Sequence, residues 1–144
     1  MQLQPRPERP YHLHTVAISV SNLEESITWY ARNLGFKLIQ RRNFPDSQLF
    51  SAILGGVGFH LVLIEKTGSM PISQFLEDAS QPTLVQGFKK IVIQIRDLLP
   101  LYTSLKQGDV TFVYPDIQET LGVWGKWFMI EDIDGNVLQF IDAH

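Results

Sequence analysis

Val16-Ala17-Ile18-Ser19-Val20-Ser21-Asn22-Leu23 returns 75 residues later (16 to 91) in kindred form, as Ile91-Val92-Ile93-Gln94-Ile95-Arg96-Asp97-Leu98. Each copy alternates β-branched residues with the period of a strand and then runs directly into a helix start. In the first copy Ser21 and Glu24 have capping-box spacing, so Ser21 is the expected cap. Leu23, Ile27, Tyr30, Ala31 and Leu34 then fall on one helical face, and Gly35 supplies a left-handed stop. In the second copy Asp97 is the expected cap, and Pro100 sits early enough in the helix to be tolerated. Leu98, Leu101, Tyr102 and Leu105 make its apolar stripe before Gly108. A strand–helix plan that occurs twice in one chain sets the architecture.

Working outward, three further strands follow each helix: Phe36–Gln40, Leu49–Leu54 and Phe59–Glu65 in the first half, then Val110–Tyr114, Lys126–Glu131 and Asn136–Asp142 in the second. Turn chemistry separates them at Asn43-Phe44-Pro45-Asp46, Gly55-Gly56 and Asp132-Ile133-Asp134-Gly135-Asn136. The expected fold class is α+β, two tandem β-α-β-β-β modules over about 12–65 and 88–142, in a single domain spanning 11–144. Residues 66–87 connect the modules. That is long for a compact domain, and a short helix at Ile72–Ala79 is expected within it. Residues 1–10 carry three prolines and read as an extended arm.

Composition limits the function classes. A chain of 144 residues, 44% hydrophobic and 19% charged, suits one globular domain. No run of about 18 apolar residues is present, and the opening MQLQPRPERP lacks the apolar core of a signal peptide, so a cytoplasmic protein is expected. The absence of Cys excludes disulfides, thiolate zinc, iron–sulfur clusters and a Cys nucleophile. A net charge of −3 gives no electrostatic case for nucleic acid or an anionic membrane. Any metal must rest on carboxylates and on His12, His14, His60 and His144.

Residues 14–36, from His14 through Ser21-Asn22-Leu23-Glu24-Glu25-Ser26-Ile27-Thr28-Trp29-Tyr30 to Leu34-Gly35-Phe36, resemble the vicinal-oxygen-chelate superfamily, as do residues 132–141, Asp-Ile-Asp-Gly-Asn-Val-Leu-Gln-Phe-Ile. That superfamily includes glyoxalase I, bleomycin-resistance proteins, extradiol dioxygenases and methylmalonyl-CoA epimerases. The resemblance covers about residues 12–142 and implies two modules whose sheets curl into a half-open barrel around a small-molecule cavity. It also implies a homodimer, since such proteins commonly pair modules across one.

Strand parity orients the side chains. If Val16, Ile18 and Val20 pack on the first helix, Thr15, Ala17 and Ser19 point inward; if Ile91, Ile93 and Ile95 face the second helix, Lys90, Val92 and Gln94 point inward. The favoured inward sets of the last strand of each module are His60, Val62 and Ile64, and Val137, Gln139 and Ile141. The superfamily's metal enzymes place His or Glu ligands at inward positions of four such strands. The resemblance maps three of those positions onto Thr15, Lys90 and Gln139, with His60 near a fourth. An ammonium repels a cation and a neutral amide is a weak ligand, so no metal is expected. A strand bulge that swung His14 inward would leave a two-ligand remnant, His14 with His60.

The residues expected to bind ligand are Thr15, His60, Lys90, Gln94, Trp124 and Gln139, and His60 is the candidate catalytic group should there be one. An inward Lys90 needs an anionic partner, either Glu65, Glu131 or the ligand itself. Plainer roles stand beside these: His60 as a satisfied core imidazole, His12 and His14 as surface residues, Asp132 and Asp134 as a structural turn. Phe50, Phe59, Tyr114, Trp124, Trp127, Phe128 and Phe140 line a cavity or fill the core, and Leu121–Gly125 forms a Gly-hinged apolar loop. Two functions follow. One is a cofactor-free module binding a small, largely apolar molecule; the other is a divergent metal-dependent lyase, isomerase or dioxygenase. Metal-free acid–base chemistry by His60 with Lys90 is a third.

Overall fold

The computed structural model describes residues 11–71, 87–120 and 125–142. The 1–10 arm, the helix expected at Ile72–Ala79, Trp124 with most of its loop, and His144 lie outside the described residues. The chain order is β1 (Thr15–Ser19), α1 (Leu23–Leu34), β2 (Lys37–Phe44), β3 (Leu49–Gly55) and β4 (His60–Lys66). After these come β5 (Lys90–Gln94), α2 (Leu98–Lys106), β6 (Thr111–Phe112), β7 (Gln118–Thr120), β8 (Gly125–Glu131) and β9 (Val137–Ile141).

Both modules repeat one topology. The first sheet runs β1-β4-β3-β2 and the second β5-β9-β8-β6, with β7 also on β8. In each, the strand before the helix pairs in parallel with the last strand of the module, Thr15 opposite His60 and Lys90 opposite Val137. The sheets stay separate and do not close into a barrel. They are two walls of the half-open arrangement, each with a helix on its outer side.

Alternation decides which side is core. Val16 and Ile18 are half-buried while Thr15, Ala17 and Ser19 are exposed, and Leu61 and Leu63 are buried between half-buried His60, Val62 and Ile64. The outward sets join α1 residues Leu23, Ile27 and Tyr30, α2 residues Leu98 and Leu105, and Phe128, Ile130, Leu138 and Phe140 in one apolar core. Burial of these side chains at about 25 cal/mol per Å2 of apolar surface is the main source of stability. Phe128 and Phe140 stack in it with centroids 5.2 Å apart, and Phe59 meets Phe36 edge-on at 5.9 Å. Phe50 packs against the same core. These four rings therefore fill the outer core and do not line an inner cavity.

Local differences from the sequence reading have physical causes. The cap of α1 is Asn22, whose side chain accepts from the Glu25 amide. Ser21 instead gives its own amide to the Asp134 carboxylate, at 3.1 and 3.2 Å, so the predicted Ser21–Glu24 box does not form. Glu24 turns away to pair with Arg41 on β2. Gly35 does close α1 in the left-handed region, φ 74°, and Asp97 caps α2 through the Leu99 amide. The turn expected at Asn43–Asp46 falls later, because β2 continues to Phe44 before a single 3-10 turn at Pro45–Ser47. In the second module the strand expected at Val110–Tyr114 shrinks to β6. Its place beside β8 is shared with β7, which pairs near the other end of that strand.

Candidate ligand-binding site

The inner face of each sheet is set by register. On the first, Thr15 lies beside His60, Ala17 beside Val62, and Ser19 beside Ile64 and Ser51. On the second, Lys90, Val137 and Glu131 form one row; Val92, Gln139 and Met129 the next; Gln94, Ile141, Trp127 and Gln118 the third. Thr15 and Lys90 open equivalent strands. Gln139 lies across from Val92 as Val62 lies across from Ala17, and these partners are 75 residues apart (17 to 92). The first-module equivalent of Gln139 is therefore Val62. His60 sits one inward position closer to the start of its strand.

The groups at these two pairs of positions are a hydroxyl and an ammonium, Thr15 and Lys90, and a branched alkyl group and an amide, Val62 and Gln139. Among the described residues, no group of three or more His, Cys, Asp or Glu side chains is arranged to hold a metal ion. Val62 offers no lone pair, and the Lys90 ammonium repels a cation placed beside it.

His14 and His60 do come together, with ring centroids 5.0 Å apart and planes inclined by 30°. His14 precedes β1 and so escapes its pleat; no bulge is needed to turn it. Its carbonyl accepts the His60 amide at 2.8 Å and its Nδ1 meets the Thr15 hydroxyl at 2.5 Å. His60 and Lys90 lie on different sheets, which gives no support to an acid–base pair of those two. Lys90 and Gln94 are both engaged by neighbouring groups. Glu65, weighed as a partner for Lys90, faces outward instead and accepts the Leu23 amide of α1 at 3.1 Å.

Gln139 is the unusual member of the inner face. It is only 3% exposed, and among the described residues its Oε1 has no hydrogen-bond partner. Buried polar groups are nearly always paired, and an unpaired one is costly. Sequence parity placed this side chain on the inner face; its missing partner is a property of the packed structure alone. Around it the surface is soft and aromatic. Met129 flanks it on β8, and Trp127 meets Tyr114 edge-on at 5.9 Å. The Trp127 indole donates to the Thr120 hydroxyl at 2.7 Å, which fixes the plane of the ring.

The Asp-x-Asp-Gly-Asn segment is structural. Asp132 accepts the amides of Asp134 and Asn136, the Asn136 side chain and, at 2.6 Å, the Tyr30 hydroxyl of α1. Together with the Ser21–Asp134 bonds, this turn clamps the first module's helix to the second module's sheet. Burial first, and then the Asp132 charge, push the Tyr30 phenol far above its usual range. A groove of about 380 Å3 lined by Glu24, Glu25, Trp29, Arg32 and Ile133 lies on the outer side of α1, away from both inner faces.

Comparison with known proteins agrees with this geometry. The family profile described as Glyoxalase/Bleomycin resistance protein/Dioxygenase superfamily matches residues 12–140. No protein of curated function matches the sequence significantly. Among solved structures, glyoxalase I from Zea mays aligns with a TM-score of 0.71 at 22% identity, over 91% of this chain and 44% of the maize chain. This chain thus spans less than half the length of that protein. A glyoxylase/bleomycin resistance protein/dioxygenase domain from Frankia sp. EAN1pec aligns with a TM-score of 0.74 at 20% identity, over 94% and 100% of the two chains. A glyoxalase family protein from Enterococcus faecalis gives 0.73 at 16% identity, over 90% and 96%. At such identities the likeness establishes the fold and leaves the chemistry to the site.

Proposed function

The chain belongs to the glyoxalase/bleomycin resistance protein/dioxygenase superfamily, and from that premise we propose that it binds a small, largely apolar molecule on its inner faces without a chelated metal. The observation that carries this reading is the donor set. Thr15 with Lys90, and Val62 with Gln139, occupy two pairs of equivalent inner positions. Such a set offers hydrogen bonds and one positive charge to an organic ligand and a poor cage to a cation. Thr15, His60, Lys90, Gln94 and Gln139 are the polar contacts of this reading, and Trp127 with Met129 its apolar surface. The active species is a homodimer.

A second reading, a divergent metal-dependent lyase, isomerase or dioxygenase, is favoured by one observation, the approach of His14 to His60. Elemental analysis of untagged protein separates the two. The binding reading expects no stoichiometric Fe, Ni, Zn or Mn, and ligand affinity unchanged by a chelator. One bound metal per chain that disappears in His60→Ala would overturn it.

A further inference from the structure

We propose that the inner face of the second sheet takes a planar aromatic ligand that donates an N–H or O–H hydrogen bond to the Gln139 side-chain oxygen. The inference rests on the small-molecule reading above and names its ligand class. Gln139 Oε1 is buried and lacks a hydrogen-bond partner among the described residues. Its neighbours on the face do not supply one. Val92 and Met129 flank it across the two adjoining strands and carry no strong donor. Trp127, on the same face one row along, gives its indole N–H to Thr120. Glu131, when ionised, can only accept. An incoming N–H or O–H would therefore satisfy an acceptor that the described residues leave empty, whereas a ligand carbonyl or ether would set one lone pair against another.

The aromatic requirement comes from the adjacent row. Trp127 stands on the same face as Gln139, diagonally across β8 and β9, and its ring is held by the bond to Thr120 and the edge contact with Tyr114. Diagonal neighbours in a sheet lie roughly 7–8 Å apart, about the length of a two-ring molecule. A fixed indole offers a face for stacking at little entropic cost, and the unbranched Met129 thioether between is the side chain that can yield to let the donor in.

The test uses three matched probes, 2-naphthol, 2-methoxynaphthalene and naphthalene, titrated calorimetrically into the full-length protein and into Gln139→Met. Wild type is expected to bind 2-naphthol about tenfold more tightly than 2-methoxynaphthalene. In Gln139→Met, which keeps the length and loses the acceptor, the ratio should fall to about one, and Trp127→Leu should weaken all three probes alike. Equal binding of 2-naphthol and 2-methoxynaphthalene by wild type overturns the donor requirement while leaving the small-molecule reading standing, and needs no variant to fold. Failure of all three probes at millimolar concentration, with a His60-dependent metal bound, overturns both.

Discussion

At the scale of single residues, the contact between Tyr30 and Asp132 shows why a motif that looks catalytic is structural. Every oxygen of Asp132 is engaged: two backbone amides, an Asn side chain and a phenol converge on it. A carboxylate so enclosed has no free edge for a substrate. Tyr30→Phe should therefore cost about 1.5–3 kcal/mol of stability, the range for a hydrogen bond to a charged acceptor, and leave ligand binding intact. The same pair predicts an alkaline limb. Because the folded phenol is raised above its unfolded value, its contribution is whole below about pH 10 and is lost as the pH rises further. Above that point the unfolded chain releases a proton that the native state keeps, at up to about 1.4 kcal/mol per pH unit. Denaturant unfolding of wild type and Tyr30→Phe between pH 8 and 11 should show the gap between them narrowing as the pH climbs. A constant gap would mean that Tyr30 ionises as freely in the fold as outside it. Gln139 teaches a complementary lesson: parity gave its direction, but only the packed neighbours reveal that its oxygen has no partner.

At the scale of elements, what could be read from sequence was whatever short-range chemistry specifies. The alternating strands at 16–20 and 91–95, the stop at Gly35 and the cap at Asp97 all depend on residues within a few positions of one another. The departures arise where a distant residue competes. Ser21 has the right spacing to cap α1, yet Asp134, which lies 113 positions away, draws its amide, and Asn22 becomes the cap one residue later. Asn22→Ala is accordingly expected to cost about 1 kcal/mol, and Ser21→Ala far less, since the Ser21 hydroxyl caps nothing. Thermal unfolding of the two variants distinguishes the caps; a larger loss at Ser21 would restore the capping box. The broken strand of the second module has the same logic. The Val113 amide still reaches the Met129 carbonyl, but residues 114–117 carry Pro115 and leave the ladder, so β6 and β7 hold opposite ends of β8. His14 escapes strand parity because it stands just before the first ladder residue, a boundary that local pattern places only within a residue or two.

At the scale of the whole molecule, the two inner faces differ in a way that bears on assembly. On the second sheet Gln139 is buried and its neighbours Val92, Val137, Trp127 and Met129 are half-buried. On the first, Thr15, Ala17 and Ser19 are exposed, and so is every residue of β2, with Ile39 at 57% and Phe44 at 48%. Apolar side chains along an open sheet edge are a liability in an isolated chain and mark an interaction surface. A twofold axis lets a chain cover this surface with its own copy, and a stable pair needs roughly 800 Å2 from each partner. The native particle is therefore expected to have about twice the 16.5 kDa mass of one chain. The joint substitution Ile39→Asp and Phe44→Asp should convert it to monomer. Leu99→Asp, an equally exposed site on α2, should leave it paired. Sedimentation equilibrium at tens of micromolar reads all three. A monomeric wild type would overturn the pairing itself, and a dimer indifferent to β2 and broken at Leu99 would place its interface on another surface.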